Sequence, residues 1–325
     1  SETDHLVDGD TINHISTGKP VFRTGLNYQV AEYTYIRSSW GQGYRFPSMA
    51  ELFISATQSG LEIYPNPDLK PESGWSSEIG IKQGLKFGNW MGYLDVAAFL
   101  MQYDDMMEFS FGRWGDFDDP VVGLGFKSIN VGKTQISGIE VSTTGQGKIN
   151  NNLTINLLAG YTYMCPISLS PDEPIGYSIF HGDTIETYTY NNSSSDSTVL
   201  KYRYQHIAKI DAELAYKKLS IGGSFRYNDF MKNIDKIFAS ELINDGPWDL
   251  DGDGIEEFEG IPGINEAREK FANGDIIIDA RLGYQFNDMV RFGFVVNNLL
   301  NREYMTRPAT MMPPRTFAFQ CSLKI

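Results

Sequence analysis

"DIIIDARLGYQF", residues 275–286, alternates along its whole length. One face carries Ile276, Ile278, Ala280, Leu282, Tyr284 and Phe286; the other carries Ile277, Asp279, Arg281, Gly283 and Gln285. Successive side chains leave a strand in opposite directions, so a period of two predicts an extended strand with one apolar and one wet side. The rhythm recurs. "NLTINLLAGYTYM" (152–164) sets Leu153, Ile155, Leu157, Ala159, Tyr161 and Tyr163 on one side. "IAKIDAELAY" (207–216) opposes Ala208, Ile210, Ala212, Leu214 and Tyr216 to Lys209, Asp211 and Glu213. The last run opposes Phe317, Phe319, Cys321, Leu323 and Ile325 to Ala318, Gln320, Ser322 and Lys324.

Eleven strands are predicted, at 21–29, 33–44, 76–86, 90–103, 126–144, 152–164, 201–216, 219–229, 275–286, 290–299 and 315–325. Their connections alternate. Those at 30–32, 87–89, 145–151, 217–218 and 287–289 are short; those at 45–75, 104–125, 165–200, 230–274 and 300–314 are long. In an up-and-down arrangement this places every long loop at one end and every tight turn at the other. Bacterial outer-membrane barrels sort their connections in this way, with the long loops extracellular. The last strand follows a long loop, so the C-terminus is expected on the periplasmic side. Tyr161, Tyr163, Tyr284 and Phe286 sit near strand ends, where an interfacial aromatic girdle belongs. A soluble solenoid or propeller would show a fixed sequence repeat, and none is present.

Bulk composition agrees. No apolar run approaches the ~18 residues of a membrane helix, the longest being 96–101, but a barrel hides its apolar residues at alternate positions. The net charge of −14 argues against a nucleic-acid partner, which needs clustered Lys and Arg. The two cysteines, Cys165 and Cys321, have no redox or metal spacing; nor have His5, His14, His181 and His206. No serine sits in a nucleophile elbow, and no enzyme activity is expected.

The segment 64–84, "YPNPDLKPESGWSSEIGIKQG", has prolines at 65, 67 and 71 and then alternates. Proline removes a donor and fixes φ, so the first part can be neither helix nor central strand; it stiffens the approach to a strand. Together with "SSWGQGYRFPSMAELF" (38–53), this stretch resembles the TonB-dependent outer-membrane transporters. The matching residues are Arg45 and Pro47, then Asn66, Pro67, Leu69, Lys70, Pro71 and Glu72, then Glu78 with Gly80, to which a structural role is assigned. "INVGKTQISGIEV" (129–141), "VNNLLNREYMTRP" (296–308) and "PPRTFAFQCSLKI" (313–325) resemble later family motifs, the last two in versions from Bacteroides-like bacteria. The family often ends in an aromatic residue, whereas this sequence ends in Ile325.

The resemblance implies an all-β fold: the C-terminal part of a transmembrane antiparallel up-and-down β-barrel of roughly 22 strands. Residues 1–325 would be the C-terminal half of that barrel, with the plug domain and the TonB-contacting segment upstream. It implies active uptake of a scarce, bulky nutrient, with a weak preference for a ferric chelate, haem or cobalamin over a glycan or peptide. The expected surroundings are outer-membrane lipid and LPS. The expected partners are the TonB–ExbB–ExbD complex and a SusD-like surface lipoprotein. The alternative is a barrel that has lost transport and serves as a structural or assembly subunit.

Two loop regions combine aromatics, methionine and charge in the manner of a binding mouth. They offer Phe109, Phe111, Arg113, Trp114 and Phe117 in the first, and Phe230, Met231 and Phe238 in the second. Loops that pack only on one another have the same composition. In "DLDGDGIEEFEG" (249–260), Asp249, Asp251 and Asp253 followed by Gly254 match a calcium loop, with Ile255 supplying a carbonyl. Position 12 is Gly260 rather than Glu, leaving Glu257 and Glu259 nearby. The two readings of this stretch are a structural Ca²⁺ site and a solvated acidic turn, and no cofactor is required.

Overall fold

The computed structural model describes residues 5–7, 10–12, 18–58, 61–116, 123–180, 182–188, 192–195, 198–238, 264–307 and 310–324. Eleven strands form one sheet, here called the wall. They are β1 (Arg23–Ala31), β2 (Thr34–Arg45), β3 (Glu72–Phe87), β4 (Asn89–Asp104), β5 (Thr134–Lys148) and β6 (Leu153–Ser168). The series continues with β7 (His206–Tyr216), β8 (Leu219–Asn228), β9 (Asp275–Gln285), β10 (Val290–Asn297) and β11 (Thr316–Leu323). Each pairs antiparallel with its neighbours in chain order, so the wall is an uninterrupted meander with β1 and β11 at its open edges.

The ladder aligns apolar residues into rows. Ile155, Leu214, Ile221, Leu282, Phe294 and Phe319 lie opposite one another across six strands. Ile221 is 55% exposed and Phe319 71%. The neighbouring row, on the other face, contains Asn156, Glu213, Gly222 and Arg281. The alternation read from the sequence therefore becomes a two-faced curved sheet, apolar outside and polar inside. Contiguous exposed apolar surface of this kind marks a face made for something other than water.

Connections at 32–33, 88, 149–152, 217–218 and 286–289 lie at one end of the wall, and those at 46–71, 105–133, 169–205, 229–274 and 298–315 at the other. Two strand expectations change. The run at 126–144 is broken at 131–133, where Gly132 takes φ +71°, and its first part leaves the wall for a second sheet. The strand expected from 201 starts at His206, because Tyr202 adopts a left-handed φ of 58° that no strand continues through.

The second sheet caps the loop end. Its strands run in the order Ala56–Gln58, Leu61–Tyr64, Leu124–Asn130, Met107–Arg113, and a hairpin, Pro174–Phe180 with Asp183–Tyr188, stands beside it. Most of the buried apolar side chains belong to this cap. Met106, Trp114, Ile129, Val131, Ile175 and Leu200 form its core cluster. In the wall, Ala97, Pro166, Ile277 and Val296 are the buried apolar residues among those described, glycines aside.

Candidate functional site: a loop cap latched to a polar-lined wall

The first family motif proves to be a helix start. After Pro47, Ser48 caps the short helix α1 (Met49–Phe53): its hydroxyl accepts the Glu51 N–H at 3.2 Å, and Glu51 Oε2 accepts the Ser48 N–H at 2.7 Å. This reciprocal box satisfies two donors that a helix start otherwise leaves open. Arg45, ending β2, reaches Glu51 at 2.8 Å and Glu72 at 3.9 Å, so it ties both ends of the connection 46–71 together. Ser48-x-x-Glu51 is legible in the sequence once a helix is suspected.

The second motif joins the third. The Asn66 amide donates to the Ser128 carbonyl at 2.8 Å. Asn130 accepts the Lys70 N–H at 2.8 Å and donates to the Lys70 carbonyl at 3.0 Å and the Asp105 carbonyl at 2.8 Å. Glu72 accepts the Met107 N–H at 2.8 Å, and Leu69 is buried. Pro65, Pro67 and Pro71 lie in a segment with neither helix nor strand. The segment 66–72 is thus a latch stitching one long connection to the next, with side chains of Asn66, Glu72 and Asn130 standing in for a missing backbone ladder.

A third contact has no sequence signature. Asp235 is 1% exposed and accepts from Lys201 Nζ at 2.5 Å, Ser110 Oγ at 2.7 Å, Tyr202 Oη at 2.6 Å and the Phe111 N–H at 3.0 Å. Lys201 is 3% exposed and also donates to Ser110 Oγ, at 2.8 Å. Three long connections meet at this ion pair. Burial, with the Asp235 charge beside it, pushes the Tyr202 phenol well above its ordinary range. Glu108 is paired with Arg203 at 3.5 Å, yet burial holds its carboxyl above the usual value against the pull of Lys201 and Arg203.

The two aromatic loop regions touch through Phe111 and Phe238, beside this ion pair. Phe111 is buried, 5.1 Å from Phe238 and 4.7 Å from Phe126. Trp114 and Met231 are buried, while Arg113, Phe230 and Phe238 are half-buried. Phe109 is exposed, stacked on Phe126 at 5.1 Å. Most of these side chains are therefore covered by the cap, and Phe109 is the one among those described most open to an incoming molecule. Phe117 lies outside the described residues, as do Asp249, Asp251, Asp253, Ile255, Glu257 and Glu259 of the acidic stretch.

On the inner face of the wall, Arg37 bonds Glu78 at 2.8 Å and Asp95 at 2.5 Å. Arg281 bonds both oxygens of Asp211, at 2.6 and 2.7 Å, and Glu213 at 3.1 Å. Each guanidinium lies across a glycine. A Cβ on Gly80 would fall 2.8 Å from Arg37 Cζ, and one on Gly222 2.6 Å from Arg281 Nε. The Glu-x-Gly motif thus has a physical reading: Glu78 holds the arginine and Gly80 leaves it room.

Fold, faces and rim define a portion of a transmembrane β-barrel whose long connections assemble into a cap. The description "TonB dependent receptor-like, beta-barrel" matches residues 3–299, and the chain belongs to that family. It is 22% identical over 209 residues, 54% of the chain, to hemoglobin and hemoglobin-haptoglobin-binding protein A of Haemophilus influenzae, of which it covers 19%. It is 29% identical over 117 residues, 36% of the chain, to the vitamin B12 transporter BtuB of Vibrio vulnificus, of which it covers 16%. In structure it is similar to the ferric-catecholate import receptor Fiu of E. coli K12, with a TM-score of 0.57 and 18% identity. That match covers 98% of this chain and 38% of the receptor. The chain thus spans about a fifth of the length of the curated relatives that it matches.

Proposed function

We propose that this chain forms wall and rim of a TonB-dependent receptor in the outer membrane of a Gram-negative bacterium. In this reading the long connections face outward and the tight turns face the periplasm. The receptor imports a scarce, bulky nutrient, drawing on the TonB–ExbB–ExbD complex through a plug and TonB-contacting segment outside this chain. Relatives named for haemoglobin, vitamin B12 and ferric catecholate support an iron chelate, haem or cobalamin over a glycan or peptide. A Bacteroides-type origin, carried by the C-terminal motifs, belongs to the same reading, and a SusD-like lipoprotein lid belongs to it as a partner. So does a Ca²⁺ held by Asp249, Asp251, Asp253, the Ile255 carbonyl and Glu257, which rests on spacing alone.

The observation that carries the proposal is the pair of adjacent rows, one apolar and exposed, the other polar and ion-paired. Lipid tails solvate the first and a watery, plug-filled lumen the second. The test uses the full-length protein in bilayers, with spin labels at Leu282 and Phe319 against Arg281 and Gln320. The first pair is expected to relax with lipid-soluble oxygen and the second with an aqueous nickel chelate; the reverse pattern overturns the membrane reading. Deleting the whole gene is expected to abolish growth on a ferric chelate, haem or cobalamin at limiting supply. Unimpaired growth on all three removes this choice of cargo.

A further inference from the structure

The long connections hold a cleft that brings Phe230 and Met231 to the end of the 296–308 motif. It lies between α2 (Ile264–Lys270) and the segments 229–231 and 304–307, with a volume of about 60 Å³. Phe230, Phe271 and Tyr204 supply its walls, and Arg268 and Arg307 its cations. In a chain of net charge −14 such a grouping stands out.

Arg268 stacks over the Phe230 ring at 4.5 Å and gives one hydrogen bond, from Nη2 to the Met231 carbonyl at 3.1 Å. Arg307 lies 5.9 Å from the Tyr202 ring centre. Among the described residues neither is in an ion pair with a carboxylate. The third arginine nearby is engaged: Arg302 bonds Asp275 at 3.4 Å and the Gly274 carbonyl at 3.2 Å. Two carboxylates also border the cleft: Asp275, held by Arg302, and Asp229, which accepts its neighbour's Phe230 N–H at 2.7 Å, so the cleft is not uniformly positive. A guanidinium carries five donors in a fixed fork that fits an oxyanion in two-point fashion. Arg268 spends one of them on Met231, and burial lowers its proton affinity, so a desolvated cation waits without an anion.

We propose that this cleft binds the carboxylate of a ligand with an aromatic or apolar body, Arg268 and Arg307 taking the oxyanion and Phe230, Phe271 and Tyr204 the adjoining ring. The volume suits the head of a ligand, not a whole one. The site deepens the proposed function, on which it rests for its supply of ligand: it adds a charged recognition point on the outer rim.

Benzoate, acetate and inorganic phosphate are titrated calorimetrically into the full-length protein in detergent. Benzoate is expected to bind at least tenfold more tightly than acetate or phosphate. R268Q and R307Q are each expected to raise its Kd at least tenfold. R307Q guards against a folding artefact, since Arg307 is exposed and its guanidinium makes no hydrogen bond among the described residues. K218Q is the control: it removes the same charge at a tight turn, where exposed Lys218 donates to the Phe286 carbonyl at 2.9 Å and borders no part of the cleft. Failure of wild type to bind benzoate saturably, or binding unmoved by both arginine variants, overturns the site. Equal affinity for phosphate, as a lipid headgroup would supply, overturns the aromatic carboxylate. Nutrient uptake that needs the gene while benzoate binding ignores both arginines sinks this site alone; binding lost in both variants beside unimpaired growth of the deletion strain sinks transport alone.

Discussion

In the wall, Ile221 and Phe319 are more than half exposed while Arg281 is paired across three strands; in the cap, Ile129 and Ile234 are almost completely buried. The same chain thus solves two solvent problems. The cap is organised like a water-soluble protein, with an apolar cluster inside and its ion pair sealed off. The wall turns its apolar side chains outward and takes its cohesion from the ladder. An ion pair therefore means different things in the two regions. Lys201 and Asp235 are 3% and 2% exposed at the side chain, whereas Arg281 and Asp211 are 31% and 42% exposed.

Asp235→Ala gives the largest expected effect. It strands the Lys201 ammonium in a dry site, a loss of about 3–5 kcal/mol for breaking a buried pair. Hydrogen exchange in the full-length protein should accelerate across 105–116, 198–205 and 229–238 while wall amides stay protected; unchanged cap amides would show that the pair holds nothing. Replacing both partners, K201M with D235L, should recover part of the protection: no charge is left unpaired, but Ser110, Tyr202 and the Phe111 N–H lose their acceptor. Next comes Ile210→Arg, on the outer row of β7. Near the bilayer midplane an arginine costs about 2–4 kcal/mol, read as a shifted guanidinium midpoint for folding into vesicles. A variant that folds as wild type would place that face in water. Smallest is Arg281→Gln. Its partners stay solvated on the wet face, so a loss of no more than about 1 kcal/mol is expected by the same titration. A loss as large as that of Asp235→Ala would erase the distinction between the two kinds of ion pair.

The wall was legible because its information is local. Alternation in 152–164, 207–216 and 275–286 names both the strand and its outward face, and the pairing register repeats it row by row. The misread places are those where a tertiary partner intervenes. Residues 126–130 alternate as well as any wall strand but pair with Met107–Arg113 and, in parallel, with Leu61–Tyr64. Nothing in a period of two says which sheet a strand joins. At the rim the family motifs were visible as separate words, and the meeting of Asn130 with Lys70 was not. Asp235 and Lys201 carried no signal at all, since an ion pair between residues 34 apart in irregular chain has no spacing rule. The aromatic loop residues were found by composition, which cannot separate a side chain open to a ligand, such as Phe109, from one spent on its neighbours, such as Phe111.

The Asp235 cluster also imposes an order of events on maturation. Its donors sit on the connections that follow β4 and β6 and its acceptor, Asp235, on the one that follows β8, with Ser110 lying 125 residues away in sequence. No hairpin carries enough of them to close the cluster alone. They can converge only when the strands between have been threaded side by side and all three connections have emerged on one side. Protease resistance of the rim should therefore appear after the strands have acquired theirs, a late signature of a correctly threaded chain.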